Sequence, residues 1–216
     1  AAEKAAKAPK AVKTPDRWEA TIKKFEADDK AQPPAKGGLL LVGGSNARRW
    51  TDVSDYFPGE KVLNRGFGGA QLGEVVHFLD RIVLPYAPRA IFVNAGGNDL
   101  GSGKTPEDVA ASYRAFMARI KKELPKTRVY AIGVPPVMRT VGSPESLAGI
   151  KKTNDLIAEV ARADDQLEFI DLFPQFIGAD GKPRAELYVA DGTHFTPQGY
   201  AIVSGLLKEK MKAAGK

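Results

Sequence analysis

The sequence predicts an α/β domain: three layers, α/β/α, around a five-stranded parallel sheet. Five short apolar runs recur along the chain, each bounded by glycine, proline or polar residues. Such runs fit strands buried on both faces, as parallel strands are. Segments with apolar residues at helical spacing lie between them, the alternation expected of βαβ units. Three of the runs end in short glycine-rich polar islands. In open parallel sheets the ligand crevice lies beyond the carboxyl ends of the strands, so those islands mark its position.

In chain order, residues 1–15 read AAEKAAKAPKAVKTP, rich in alanine and lysine, with little to bury. They are expected to be a flexible segment ahead of a single domain over 16–216. A helix is expected from Asp16, with Trp18, Ile22 and Phe25 on one stripe, ending before Gln32-Pro33-Pro34. The strands are expected at 38–42, 61–64, 90–94, 128–132 and 167–171. A helix over 70–83 would bury Leu72, Val75, Val76 and Leu79. The next begins with Thr105 as cap, Pro106 and Asp108, and would bury Val109, Tyr113, Phe116, Met117 and Ile120. A long loop rich in Pro, Gly and Ser over 135–149 is expected to wall the crevice. A helix over 147–163 follows, and a last one starts at Thr196-Pro197 with Tyr200, Val203, Leu206 and Leu207 inward.

Composition narrows the chemistry. With no cysteine, the 216-residue chain has neither disulfides nor a thiolate metal site. Its two histidines are far apart, which argues against zinc. No apolar run approaches the ~20 residues that span a bilayer, and no signal peptide is read. The net charge of +6 sits in the two Lys-rich ends, residues 1–15 and 208–216, and cancels in between. A folded nucleic-acid binder carries its positive charge on its body, so no nucleic-acid partner is expected.

Each polar island allows two readings. Ser45, after Gly43-Gly44, is either a helix N-cap or a nucleophile facing the crevice. Gly66-Phe67-Gly68-Gly69 is either a turn or a close approach of backbone to an anion; Gln71 breaks the dinucleotide fingerprint. Asn98 either supports a turn or donates its amide to an oxyanion, and Asp99 beside it reads as a structural acceptor. In Asp191-Gly192-Thr193-His194 the aspartate can hold one ring nitrogen of His194, leaving the other free to take a proton. Asp171 is a rival orienter, and His77 reads as structural or solvent-facing within its helix. Val137, Met138 and Arg139 either touch substrate or belong to an ordinary surface loop.

Taken together, a serine, a histidine base, an aspartate and oxyanion donors are the parts for acyl transfer. In this the chain resembles the SGNH (GDSL-type) hydrolase superfamily over about residues 37–210. Gly43-Gly44-Ser45, the segment from Asn64 through Gly69, Gly96-Gly97-Asn98-Asp99 and Asp191-Gly192-Thr193-His194 match its four blocks in order. The overall pattern is similar to bacterial platelet-activating-factor acetylhydrolase-like esterases. The resemblance implies the flavodoxin-like SGNH hydrolase fold and a triad of Ser45, His194 and Asp191. It implies an oxyanion hole from the N–H groups of Ser45 and Gly69 and the side chain of Asn98. Met138 and Arg139 are the candidate substrate contacts. Neither a metal nor an organic cofactor is implied. The implied substrate is a small-molecule or glycan ester with a short acyl group, acetyl above all. A lipid esterase, a lysophospholipase, a thioesterase and a non-catalytic glycan- or lipid-binding member stand as alternatives. Such relatives are often exported, so a secreted or periplasmic location is expected. One departure stands out: Gly44 takes the place of the usual aspartate of the first block.

Overall fold

The computed structural model describes residues 15–214. The expected flexible segment, residues 1–15, therefore lies outside the described residues apart from Pro15. That proline opens a 3-10 turn, Pro15–Trp18, which leads into α1 (Glu19–Ala31). The chain then runs through β1 (Leu39–Gly43), α2 (Ser45–Arg49), β2 (Val62–Gly66), α3 (Leu72–His77), α4 (Leu79–Ile82) and β3 (Ala90–Asn94). It continues with α5 (Gly97–Gly101), α6 (Pro106–Glu123), β4 (Arg128–Ile132), α7 (Pro144–Arg162), β5 (Leu167–Ile170), α8 (Phe173–Phe176) and α9 (Pro197–Ala214). The strands form one parallel sheet in the order β2-β1-β3-β4-β5.

Alternation along the strands builds two cores. Leu40 and Val42 of β1 join Ile91, Val93 and Val129 on one face, where α1, α3, α4, α6 and α7 pack. Leu39 and Leu41 join Phe92, Tyr130 and Ile132 on the other, against Trp50, Phe176 and Val203 from the side of α2, α8 and α9. A strand whose odd and even residues are both buried has to read as a continuous apolar run, and Leu39 to Val42 does. Each such side chain contributes about 1.5–3 kcal/mol by leaving water. Among the described residues no helix is long and apolar enough to cross a membrane.

Register decides where the site can form. Gly43 pairs with Gly66 on one side and with Asn94 on the other, so three strands end level. The first three polar islands leave from that edge together.

The structure departs from expectation in four places. The helix expected over 70–83 breaks at Phe78, which caps α3 and starts α4. The break lets Phe78 meet Phe67 edge-on at 6.2 Å while Leu79 still faces the core. Strand β2 runs on to Gly66, so Arg65 belongs to the sheet, and its guanidinium is bound by Asp29 and the Tyr86 hydroxyl. The loop after β4 is shorter than expected, because α7 starts at Pro144 with Ser143 as its cap. The first and third islands run into two short helices, α2 and α5, which begin within them at Ser45 and Gly97.

Candidate active site

Strand β1 ends in a turn that needs glycine. Gly43 has φ +133°, and a Cβ there would overlap the carbonyl of Asn94. Gly44 then occupies the cap position of α2, and Ser45 is its first residue. Ser45 is therefore not the N-cap. Its hydroxyl lies 2.8 Å from Nε2 of His194. Its N–H, at the start of a helix, has no carbonyl four residues back within the helix to bond.

His194 comes from the loop before α9. Its Nδ1 lies 2.7 Å from Oδ2 of Asp191, while Oδ1 of Asp191 accepts the backbone N–H groups of Thr193 and His194, each at 2.9 Å. An ionised carboxylate only accepts, so the proton of this pair sits on Nδ1 and Nε2 faces the Ser45 hydroxyl as an acceptor. The donated backbone and ring N–H groups of His194 hold the Asp191 carboxyl well below the usual carboxylate range. Arg49 adds a long ion pair, Nη1 to Oδ2 at 3.5 Å. Gly192, at φ +65°, makes the sharp bend between the two; a Cβ there would come within 2.6 Å of Met138.

The third island grips the second. Asn98, in α5, donates its side-chain amide to the carbonyl of Ala70 at 3.0 Å. Asp99, fully buried, accepts the N–H of Leu72 at 3.1 Å and the ammonium of Lys104 at 3.0 Å. Gly69, just before Ala70, has φ +81°, and its N–H has no acceptor among the described residues. The second N–H of the Asn98 amide is likewise unclaimed among them. Gly44 lies against that amide: a Cβ at 44 would approach Asn98 Nδ2 closer than 3.0 Å. Position 44, where the first block usually has aspartate, is thus crowded by Asn98 and the Ala70 carbonyl.

Ser45 and Asn98 open into a cleft of about 510 Å3, walled by Val134, Pro135, Ile150 and Arg139. It lies beyond the carboxyl ends of β3 and β4. None of its lining residues is aromatic. Arg139 is exposed at its rim, but Met138, the other expected substrate contact, packs beneath Gly192 and lines a separate depression. Asp171 does not reach His194; its Oδ1 accepts the N–H of Phe173. His77 is exposed at the end of α3. Among the described residues no cluster of acidic or histidine side chains could hold a metal ion.

Two residues of the site escaped sequence reasoning. Arg49 is one. The other is Asn46, whose amide bonds the backbone of Thr193 and Phe195. Asn46 stands in the first island, but its partners are 147 and 149 residues away and no local spacing announces them.

Comparison with known proteins speaks to fold and family. No curated protein sequence matches the chain. A Streptococcus pneumonia protein assigned as a platelet activating factor superposes with TM-score 0.79 at 23% identity, over 90% of this chain and 92% of its own. A GDSL-like lipase from Bacteroides thetaiotaomicron gives 0.77 at 20%, over 90% and 98%. An acetylxylan esterase from Geobacillus stearothermophilus gives 0.65 at 15%, over 80% and 93%. At such identities the likeness speaks for the fold, which is that of the SGNH hydrolases. The model of the GDSL-like lipase/acylhydrolase family matches residues 36–202, and the chain belongs to that family of ester hydrolases.

Proposed function

We propose that the protein is a serine esterase that removes short acyl groups, acetyl above all, from small-molecule or glycan esters. One observation carries the reading: the unbroken hydrogen-bonded line from Asp191 through His194 to Ser45, with Ser45 lining the cleft. In this reading Ser45 Oγ attacks the ester carbonyl carbon while His194 Nε2 takes the hydroxyl proton. Asp191 keeps the imidazole oriented and stabilises the imidazolium. The N–H groups of Ser45 and Gly69 and the Asn98 amide receive the negative charge that develops on the carbonyl oxygen. Collapse expels the alcohol, which takes its proton from His194. Water, deprotonated by the same nitrogen, then attacks the acyl-serine and releases the carboxylic acid and free Ser45.

The cleft bears on acyl length and leaving group. Val134 and Ile150 offer aliphatic walls near Ser45, fit for a short acyl chain, and Arg139 and Glu145 make the rim polar. Among the described residues Val141 is the one large apolar side chain classed as exposed, so apolar surface for a lipid aggregate is small outside the cleft. This weighs against the lipid esterase and lysophospholipase alternatives. The cleft lacks the aromatic platform often offered to a sugar ring, so the glycan part of the proposal leans on the structurally similar acetylxylan esterase. A secreted or periplasmic location belongs to the same proposal, and fractionating the producing cells tests it.

The test is hydrolysis of p-nitrophenyl esters from acetate to octanoate, alongside acetylated oligosaccharides, with Ser45→Ala and His194→Ala as controls. The reading predicts fastest turnover of acetate and loss of activity in both variants. A folded wild-type protein that hydrolyses none of these esters would overturn it.

A further inference from the structure

The nucleophile and its base come from opposite ends of the domain sequence. Ser45 opens α2, directly after β1, whereas His194 lies in the loop that returns after β5. That loop has its own anchors: the N–H of Val189 bonds the carbonyl of His194 at 2.8 Å, and the N–H of Met138 bonds the carbonyl of Gly192 at 2.9 Å. None of these anchors involves α2. They fix the shape of the His194 loop but not its distance from Ser45.

Asn46 supplies that link. Its Nδ2 donates to the carbonyl of Thr193 at 3.3 Å, and its Oδ1 accepts the N–H of Phe195 at 3.1 Å. The amide thus brackets His194 from both sides, and its orientation follows from its partners, since a reversed amide would set donor against donor. The main chain joins in: the Tyr200 hydroxyl donates to the carbonyl of Asn46 at 2.9 Å. The ion pair between the two segments, Arg49 to Asp191, is longer at 3.5 Å and has both side chains more than 40% exposed. Such a pair has little holding power in water.

We infer that Asn46 is a positioning residue for the esterase reaction: its side-chain amide clamps the His194 loop to the nucleophile helix and so sets the Ser45–His194 contact. The inference rests on the serine-esterase reading. It adds that this side chain, together with the Tyr200 hydroxyl on the Asn46 carbonyl and the stacking of Trp50 on Tyr200, sets the alignment. Asn46 touches neither reacting atom in the mechanism above. Its effect is on how often Nε2 and Oγ stand at proton-transfer distance, a step where a misplacement of about 1 Å can cost about a hundredfold.

Asn46→Ala tests this in two measurements. The first is steady-state hydrolysis of p-nitrophenyl acetate. The clamp predicts a kcat lower by roughly tenfold to a hundredfold with KM within about twofold: Asn46 is one of the residues that line the cleft, but the aliphatic walls Val134 and Ile150 are untouched. The second is histidine NMR. The chain has two histidines, and His77, exposed on α3, serves as the internal reference. Asn46→Ala is expected to shift and broaden the His194 ring signals while those of His77 stay in place. Asn46→Asp keeps the size and the bond to Phe195 but loses the donor to Thr193, so it should fall between wild type and alanine. It also decides the matter if the alanine variant does not fold. A kcat within twofold of wild type, or a loss seen only in KM, would overturn the clamp. If the wild-type protein hydrolyses nothing, the esterase reading fails by itself. The NMR arm then still judges the clamp: an unmoved His194 signal in the variants removes it.

Discussion

Gly44→Ala separates the cost of a substitution to the fold from its cost to catalysis. The φ at Gly44 is −86°, outside the left-handed region that favours glycine, so the main effect of alanine is what its Cβ meets. The added Cβ would meet the Asn98 amide closer than 3.0 Å and the carbonyl of Ala70 at 3.2 Å. The amide is the free end of a side chain and swings away more easily than the Ala70 backbone moves. The fold then loses one hydrogen bond, Asn98 to Ala70, a net change of about 0.5–1.5 kcal/mol. In the proposed mechanism the oxyanion then loses a donor, which costs roughly 10²–10³ in kcat, or about 2.7–4 kcal/mol of transition-state stabilisation. Denaturant midpoints and kcat for p-nitrophenyl acetate measure the two sides. Asn98→Ala and the double variant complete a cycle. Because both changes remove the same donor, the double variant should be no slower than either single one. Wild-type kcat in Gly44→Ala, or additive losses in the double variant, would refute the reasoning.

Three further outcomes are expected. Asp191→Asn replaces an acceptor of three N–H groups with an amide that favours the wrong tautomer of His194, and kcat should fall by roughly 10³–10⁴; stopped assays with the folded variant check this. The Asp191 carboxyl is held low in the folded state, so its stabilising share is in place above the ordinary carboxylate pKa of about 3.9 and is lost as pH falls toward the folded value. Melting temperatures between pH 6 and 2.5 should therefore fall less steeply at the acid end in Asp191→Asn, and by a small amount, since the carboxylate is exposed and solvent-screened. Tyr113 is fully buried, and its hydroxyl has no partner among the described residues; Tyr113→Phe should raise stability by about 1 kcal/mol in urea unfolding.

Much of this architecture is written in local pattern. Leu39 to Val42 is apolar at every position because the strand is covered on both faces, and such a run is visible without any partner. Helix α6 is legible for a similar reason: Thr105 and Asp108 cap each other's backbone within four residues, at 3.1 and 2.9 Å. Ser143-Pro144 carries the same cap-then-proline signal for α7, hidden there inside a stretch rich in turn residues. Helices α2 and α5 have five residues each, too few to show a period.

At the site, Asp191 and His194 are three residues apart, so their contact could be read from spacing. The contact of Ser45 with His194 was reached through the resemblance instead, and the partners of Asn46 were out of reach altogether. Met138 and Arg139 show another limit. They are neighbours in a 3-10 turn, where successive side chains point about 120° apart, so one packs under the His194 loop and the other lines the cleft.

The most direct test of the central claim is the mass of the protein after exposure to a fluorophosphonate, with peptide mapping of the adduct. A nucleophilic Ser45 activated by His194 predicts a single phosphonyl group, carried on Ser45. The adduct should be absent from Ser45→Ala and formed far more slowly in His194→Ala. Labelling at another serine, or equal labelling rates with and without His194, would contradict the account.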